Sequence, residues 1–232
     1  MKDAPGILTV DIGGSGIKVM LVDAAGKPLG KRARVPTPRP ATPKAILRAI
    51  VRLAAKEGQY DRVSVGFPGV VRNGLTETAH NLDRSWIGFN LVKELSKALK
   101  KPVRAANDAD VQGLAVVEGK GVEMVLTLGT GLGSALFVHG RLVPNLEVAH
   151  HEFRRGKTYE ECLGAAALKK AGKKKWNRML EKAMAELQHL FNYDRLWIGG
   201  GNGRKVKLKL AERVKIVSNE AGLLGGAALW RD

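Results

Sequence analysis

Short runs of β-branched and aliphatic residues alternate along the chain with longer stretches in which apolar positions recur every third or fourth residue. The runs at 7–10 and 17–22 predict strands. Between them lies Gly13-Gly14-Ser15-Gly16, and the chain resumes as a strand, so these residues predict a hairpin tip rather than the opening of a helix. Asp23-Ala24-Ala25-Gly26 turns into a third strand near 31–35. Thr42 and Pro43 suit an N-cap and first turn; the helix they open puts Ile46, Leu47, Ile50, Leu53 and Ala54 on one face and Arg48, Arg52 and Lys56 on another. A buried strand at 62–67, a helix over 91–100 and a strand at 103–106 follow, with Asn107 or Asp108 capping the next helix.

The pattern then repeats. A strand at 123–128, the glycine turn Gly129-Thr130-Gly131, a strand at 134–138 and another at 141–144 align with the first meander when Thr9–Gly13 is set on Thr127–Gly131. Two strand–glycine–strand units, each followed by helices and further strands, imply a duplicated α/β lobe. Helices are expected over 158–171 and 174–191, the second with an apolar core stripe of Trp176, Met179, Leu180, Ala183, Met184, Leu187 and Phe191. A strand at 195–198 ends in Gly199-Gly200-Gly201, a short strand falls at 215–217, and Asn219 opens a closing helix. The expected division is an N-terminal lobe over 1–107, completed by the helix 219–232, and a C-terminal lobe over 108–218.

Charge changes the picture most. Among 232 residues, 39 Lys and Arg against 22 Asp and Glu leave a net charge of +17, a field that favours a polyanionic partner such as nucleic acid, an anionic membrane surface or a polymeric phosphate. A 44% hydrophobic content supports a globular core. One cysteine, Cys162, excludes an intrachain disulfide and a multi-cysteine zinc site. Acidic residues around the first apolar run argue against a signal peptide, and no run is long enough to span a bilayer; a cytoplasmic protein is expected.

The chemistry concentrates at strand ends. Glycine turns let backbone N–H groups approach phosphate closely, and neither the GxxxxGK[ST] nor the GxGxxG pattern is present. Asp11 at a strand end is a candidate ligand for Mg²⁺ beside such phosphates. The glycines at 199–201 are a third candidate phosphate or nucleotide contact. In "AANDAD", Asn107 and Asp108 stand at a strand-to-helix junction, where amide and carboxylate suit adjacent sugar hydroxyls and Asp108 suits proton acceptance. Plain helix capping accounts for the same pair equally well on residue chemistry alone. Glu147 and His150, three apart in "EVAHHEF", are candidates for gripping vicinal hydroxyls.

Taken in order, "DIGGSGIK", "GFPGVV", "AHNLDRSWIG", "NDADVQGLA", "LTLGTGLGSALF", "LVPNLEVAHHE" and "IGGG" resemble the ROK-family sugar kinases across essentially the whole chain. "TPRPATP", "DRSWIG" and "GKTYEE" resemble the polyphosphate-using branch. The resemblance implies the actin-like ATPase (hexokinase-type) fold, two ribonuclease-H-like lobes around a cleft. It implies transfer of a phosphoryl group from inorganic polyphosphate, with ATP as a second donor, to the 6-hydroxyl of glucose or a related hexose in the presence of Mg²⁺. Asp108 then falls on the catalytic base; Asn81, Asn107, Glu147 and His150 fall on sugar contacts. Asp11, Gly13, Gly14, Ser15, Gly16 and Lys18, then Gly129, Thr130 and Gly131, and last Gly200 and Gly201, fall on phosphate or nucleotide contacts. The family's E-x-G-H motif is Glu147-Val148-Ala149-His150 here, with alanine for glycine. The cysteine-rich zinc motif of many members is missing, as it is in the polyphosphate branch, so no structural zinc is expected. A chain that opens on its first strand lacks the N-terminal helix-turn-helix of the family's repressors, so no nucleic acid is expected as a partner. No membrane partner is expected either, and a homodimer is, because related kinases commonly dimerise. A strictly ATP-dependent hexose kinase and a nucleic-acid-binding protein on a kinase fold stand as the alternatives.

Overall fold

The computed structural model describes residues 6–218 and 220–231. Two compact units are present, one ending at Ala115 and resuming at Gly222, the other Val116–Ala221. The first contains, in chain order, β1 (Gly6–Ile12), β2 (Ile17–Val22), β3 (Ala33–Val35), α1 (Pro43–Ala54), β4 (Tyr60–Phe67), β5 (Val71–Arg72), β6 (Leu75–Thr76), β7 (Phe89–Asn90), α2 (Leu91–Leu99), β8 (Val103–Asn107) and α3 (Asp108–Leu114). Its main sheet runs β3-β2-β1-β4-β8. β1 is antiparallel to β2 and parallel to β4, and β4 is parallel to β8. The inner strands are buried over most of their length: one face of each is apolar, and the other carries Thr9 and Ser64 as buried polar residues. Leu8, Val10, Ile12, Val63, Val65 and Phe67 pack in one core with Ile46 and Ile50 of α1 and Leu91 and Leu95 of α2. Thr42 caps α1 by accepting from Ala45 N. Trp86 is fully buried, 4.9 Å from Phe67 and 5.3 Å from Phe89 between ring centroids. Its Nε1 donates to Ala41 O at 2.9 Å, which fixes the turn that precedes it.

The second unit repeats the order of the first. It contains β9 (Val122–Leu128), β10 (Leu132–Val138), β11 (Arg141–Val143), β12 (Glu152–Arg154), β13 (Lys157–Thr158), α4 (Tyr159–Leu163), α5 (Ala165–Phe191), β14 (Arg195–Gly199) and β15 (Val214–Ile216). Its main sheet runs β11-β10-β9-β14-β15. Trp176, Leu180, Ala183 and Leu187 of α5 pack on Met124, Leu126, Leu196 and Ile198 of that sheet. Buried Glu123 accepts from the backbone N–H groups of Glu118, Gly119 and Lys120 and from Trp197 Nε1, so a carboxylate taken from water is satisfied by four donors.

The chain returns to the first unit through α6 (Ala221–Leu224), which continues as a 3-10 turn over Gly225–Trp230. Leu223 and Ala227 join Ile7, Met20 and Val22. Ser64 Oγ donates to Gly226 O at 2.6 Å and accepts from Trp230 Nε1 at 2.9 Å. The guanidiniums of Arg62 and Arg104 lie 5.3 and 4.6 Å from the Trp230 ring centroid, within cation–π range.

Four differences from the sequence reading have physical causes. α3 belongs with the first unit, so the division falls after Ala115 rather than after residue 107; α3 packs on the 225–230 turn and on β4. The closing segment is not one helix: Gly225 lies so close to Val111 that a Cβ would stand 1.8 Å from the Val111 carbonyl oxygen, and the backbone tightens to 3-10 there. Asn219, the expected start of that helix, lies outside the described residues. The helix expected over 158–171 is broken at Gly164, whose ψ of 171° is extended, and α5 bends at Gly172 with φ 75°. The small strands β5–β7 and β12–β13 are too short to show an alternation in sequence. No helix among the described residues is long and apolar enough to cross a membrane.

Candidate active site

In the first unit the Gly13–Gly16 turn joins β1 to β2, with Gly13 N donating to Gly16 O at 3.0 Å. Three side chains take its carbonyls: Thr37 Oγ1 donates to Gly13 O at 2.5 Å, Arg39 Nη2 to Gly14 O at 3.0 Å and Arg34 Nη2 to Ser15 O at 3.2 Å. A Cβ at Gly16 would meet the Arg34 guanidinium at 2.6 Å, so a larger residue there would push that side chain off the turn. The turn is therefore rigid, and two arginines place positive charge on it. Asp11 and Lys18 face each other across the hairpin, a direct pair in the β1–β2 register, with Lys18 Nζ donating to Asp11 Oδ2 at 2.6 Å. Sequence reasoning missed Arg34, Thr37 and Arg39. The signal lay in "RARVPTPRP", where cations follow a strand that must return beside the glycine turn.

At the β8–α3 junction Asn107 is the cap. Its Oδ1 accepts from Ala109 N at 2.8 Å and from Asp110 N at 3.3 Å, and its Nδ2 donates to Gly69 O at 3.3 Å. Asn107 is buried, whereas Asp108, the first residue of α3, is half-buried. The division of labour matters: one residue holds the helix end, and the carboxylate that follows is not the cap. The Gly69 loop that Asn107 grips belongs to "GFPGVV", and Thr78 Oγ1 fixes it by accepting from Val70 N at 2.8 Å. Asn81 is half-buried in the turn just before the Arg84–Trp86 segment anchored by Trp86.

In the second unit Gly129-Thr130-Gly131 joins β9 to β10, closed by Gly129 N donating to Gly131 O at 3.0 Å. The 200–201 stretch reaches this turn through a residue the sequence reading did not select, Asn202. Asn202 Nδ2 donates to Gly129 O at 2.9 Å and Asn202 N to Leu128 O at 2.8 Å. Gly200 has φ +79°, and a Cβ there would stand 2.5 Å from Leu128 O, so only glycine lets the two turns meet. Thr130 O accepts from Ala165 N, the first residue of α5, at 3.1 Å. Ser134 pins the sugar-loop candidates: its Oγ donates to Leu146 O at 2.6 Å and accepts from Val148 N at 3.2 Å. The 3-10 turn Val148–His150 brings His150 Nε2 to 3.5 Å from Glu147 Oε2, both half-buried. Ala149 is buried there in ordinary 3-10 backbone, so its methyl group needs no left-handed conformation.

Each unit thus carries a rigid glycine turn at the same place in a five-stranded sheet of the same order. That duplicated sheet with paired turns is the actin-like ATPase fold of sugar kinases. The chain belongs to the ROK family, whose model matches residues 7–150. It is 35% identical over 249 residues to the polyphosphate glucokinase of Mycobacterium tuberculosis, covering 97% of this chain and 94% of that protein. It matches the crystal structure of the inorganic polyphosphate/ATP-glucomannokinase from Arthrobacter sp. strain KM with a TM-score of 0.88 and 35% identity, covering 97% of each chain. A ROK family glucokinase from Streptomyces griseus, solved with glucose and AMPPNP, shares the fold with a TM-score of 0.80 at 20% identity, over 97% of this chain and 98% of that one.

Proposed function

We propose that this protein is a glucokinase that transfers the terminal phosphoryl group of inorganic polyphosphate, and of ATP as a second donor, to the 6-hydroxyl of glucose or a related hexose. The observation that carries the reading is the Asn107–Asp108 pair, in which the amide caps α3 and the carboxylate does not. Asp108 accepts the proton of the sugar hydroxyl as its oxygen attacks the terminal phosphorus. The bond from that phosphorus to the bridging oxygen breaks, and the shortened chain leaves with the electron pair. The products are hexose 6-phosphate and a polyphosphate one unit shorter.

Asn81, Asn107, Glu147 and His150 bind sugar hydroxyls in this reading. The Glu147–His150 separation of 3.5 Å supports a paired grip, because each side chain orients the other. The Gly13–Gly16 and Gly129–Gly131 turns, with Lys18, Gly200 and Gly201, hold donor phosphates. Rigid turns suit that work, since N–H groups fixed beforehand cost little reorganisation when charge develops. Asp11 supplies a single hard carboxylate beside one turn, and Mg²⁺ is held by one or two carboxylates together with substrate phosphates, so the residues fit that ion. When bound, Mg²⁺ neutralises charge on the transferring group. Lys18, already on Asp11 Oδ2, keeps the carboxylate in place.

The test is hexose 6-phosphate formation measured with long polyphosphate and with ATP in parallel. Product from both donors is expected. Product from ATP alone leaves a hexose kinase and removes the polyphosphate donor, and product from neither removes the enzyme reading.

A further inference from the structure

In the second unit, α5 and the segment after β14 both start at the Gly129–Gly131 turn: Ala165 N donates to Thr130 O at 3.1 Å, and Asn202 Nδ2 donates to Gly129 O at 2.9 Å. The first half of α5 and the segment after β14 are basic. Residues 169–178 hold six Lys and Arg, residues 204–209 hold four, and neither 164–180 nor 195–211 contains an Asp or Glu. All ten are exposed except Lys205, which is half-buried. Among the described residues none of the ten forms an ion pair with an acid.

One buried side chain joins the two arms. Asn177 Nδ2 donates to Lys173 O at 2.8 Å and to Lys205 O at 3.2 Å, while its Oδ1 accepts from Lys207 N at 2.7 Å. The amide needs both its donor and its acceptor for these bonds, so no carboxylate replaces it. Two basic segments far apart in sequence are thereby held side by side.

We propose that these arms form one track for the phosphates of a polyphosphate chain beyond those seated at the Gly129–Gly131 turn, with Asn177 as the positioning residue that holds the track together. The inference rests on the polyphosphate reading given above. Its chemistry follows from charge spacing. A flexible polyanion with charge on every unit gains from a line of unpaired ammonium and guanidinium groups, and binding releases its counterions. A nucleotide triphosphate held at the turn is too short to follow both arms.

The test compares the full chain with Lys205→Gln/Lys207→Gln/Lys209→Gln, and with a charge control in the other unit, Lys93→Gln/Lys97→Gln/Lys101→Gln. The readouts are equilibrium binding of long polyphosphate and the ratio of the KM for long polyphosphate to that for tripolyphosphate. Three contacts of ordinary surface strength predict about a tenfold rise in that ratio for the track variant, or about 1.4 kcal/mol. The salt dependence of long-chain binding becomes shallower in the track variant, and the control changes neither readout. Asn177→Leu is expected to reproduce the rise while keeping all ten cations, which a simple loss of charge does not.

Equal binding of long polyphosphate by the track variant and the unaltered protein overturns the track and leaves the donor reading intact. Tight long-chain binding, lost in the track variant, by a protein that phosphorylates glucose only from ATP supports the track and removes the donor reading. Equal displacement of polyphosphate by single-stranded DNA of the same charge overturns the assignment and makes this a nucleic-acid surface.

Discussion

Replacing Asp108 by Asn separates catalysis from architecture because Asn107 already does the structural work at this junction. Asn107 Oδ1 accepts from Ala109 N and Asp110 N, so the start of α3 stays capped whatever follows it. The substitution keeps side-chain size and removes proton acceptance. Loss of a positioned general base predicts a fall in turnover of at least about a hundredfold, equivalent to about 2.7 kcal/mol of barrier. Losing a negative charge in the first turn of α3 costs about 0.3–1 kcal/mol through the helix dipole. In a chain of this size that corresponds to a Tm shift of about 2–4 °C at most. Asn107→Ala gives the complementary pattern. It strands two backbone donors at about 1 kcal/mol or somewhat more, and it raises the KM for the hexose. The assay is initial-rate hexose phosphorylation with saturating ATP or polyphosphate, alongside thermal unfolding of both variants. Near-normal turnover in Asp108→Asn would refute the base assignment, and a collapse in Tm would refute the claim that Asn107 is enough to cap α3.

The Gly13–Gly16 turn should serve every donor alike: Arg39→Ala removes the donor to Gly14 O and a charge beside the turn, and the KM for ATP and for polyphosphate should rise together by about tenfold, as expected for losing a charge-assisted contact. A rise for one donor only would place that donor elsewhere. His150→Ala should raise the hexose KM with little change in turnover, because a hydroxyl contact present in both ground and transition states weakens binding uniformly. Ala149→Gly should leave the fold intact and hexose affinity equal or better, since the methyl group is buried without backbone strain; both are read from hexose saturation curves. Burial and the neighbouring Glu186 push the Tyr159 phenol up to about 12, above its ordinary value near 10. The folded state thus holds that proton longer than the unfolded one, and stability present below pH of about 10 should drain away as pH rises toward about 12. Tyr159→Phe should lose stability less steeply over that window in denaturant titrations.

The local chemistry of the chain determined much of this protein. Periodicity located α1 with Thr42 as its cap, the hairpin at Gly13–Gly16 and its counterpart at Gly129–Gly131, because each depends on neighbours within a few residues. The repeated strand–turn–strand pattern carried the duplication, since two sheets of the same order need two similar runs of apolar residues. The candidate chemistry at Asn107 and Asp108 was also visible, but not its division: whether amide or carboxylate takes the N–H groups of α3 depends on where β8 delivers the chain and on the Gly69 carbonyl that orients Asn107. Tertiary structure alone decided the rest. Arg34, Thr37 and Arg39 matter because β3 returns beside the first glycine turn, and Asn202 matters because β14 ends against the second. The helix break at Gly164 and the tightening at Gly225 answer to backbone that lies close in space, Thr130 O at the first and Val111 O at the second. Asn177 shows the limit most clearly: on a helix wheel it is one polar residue among lysines, and only folding brings Lys205 O and Lys207 N within reach of its amide. Hydrogen bonds between distant segments satisfy groups whose burial is itself a product of the fold, so no pattern along the chain can announce them.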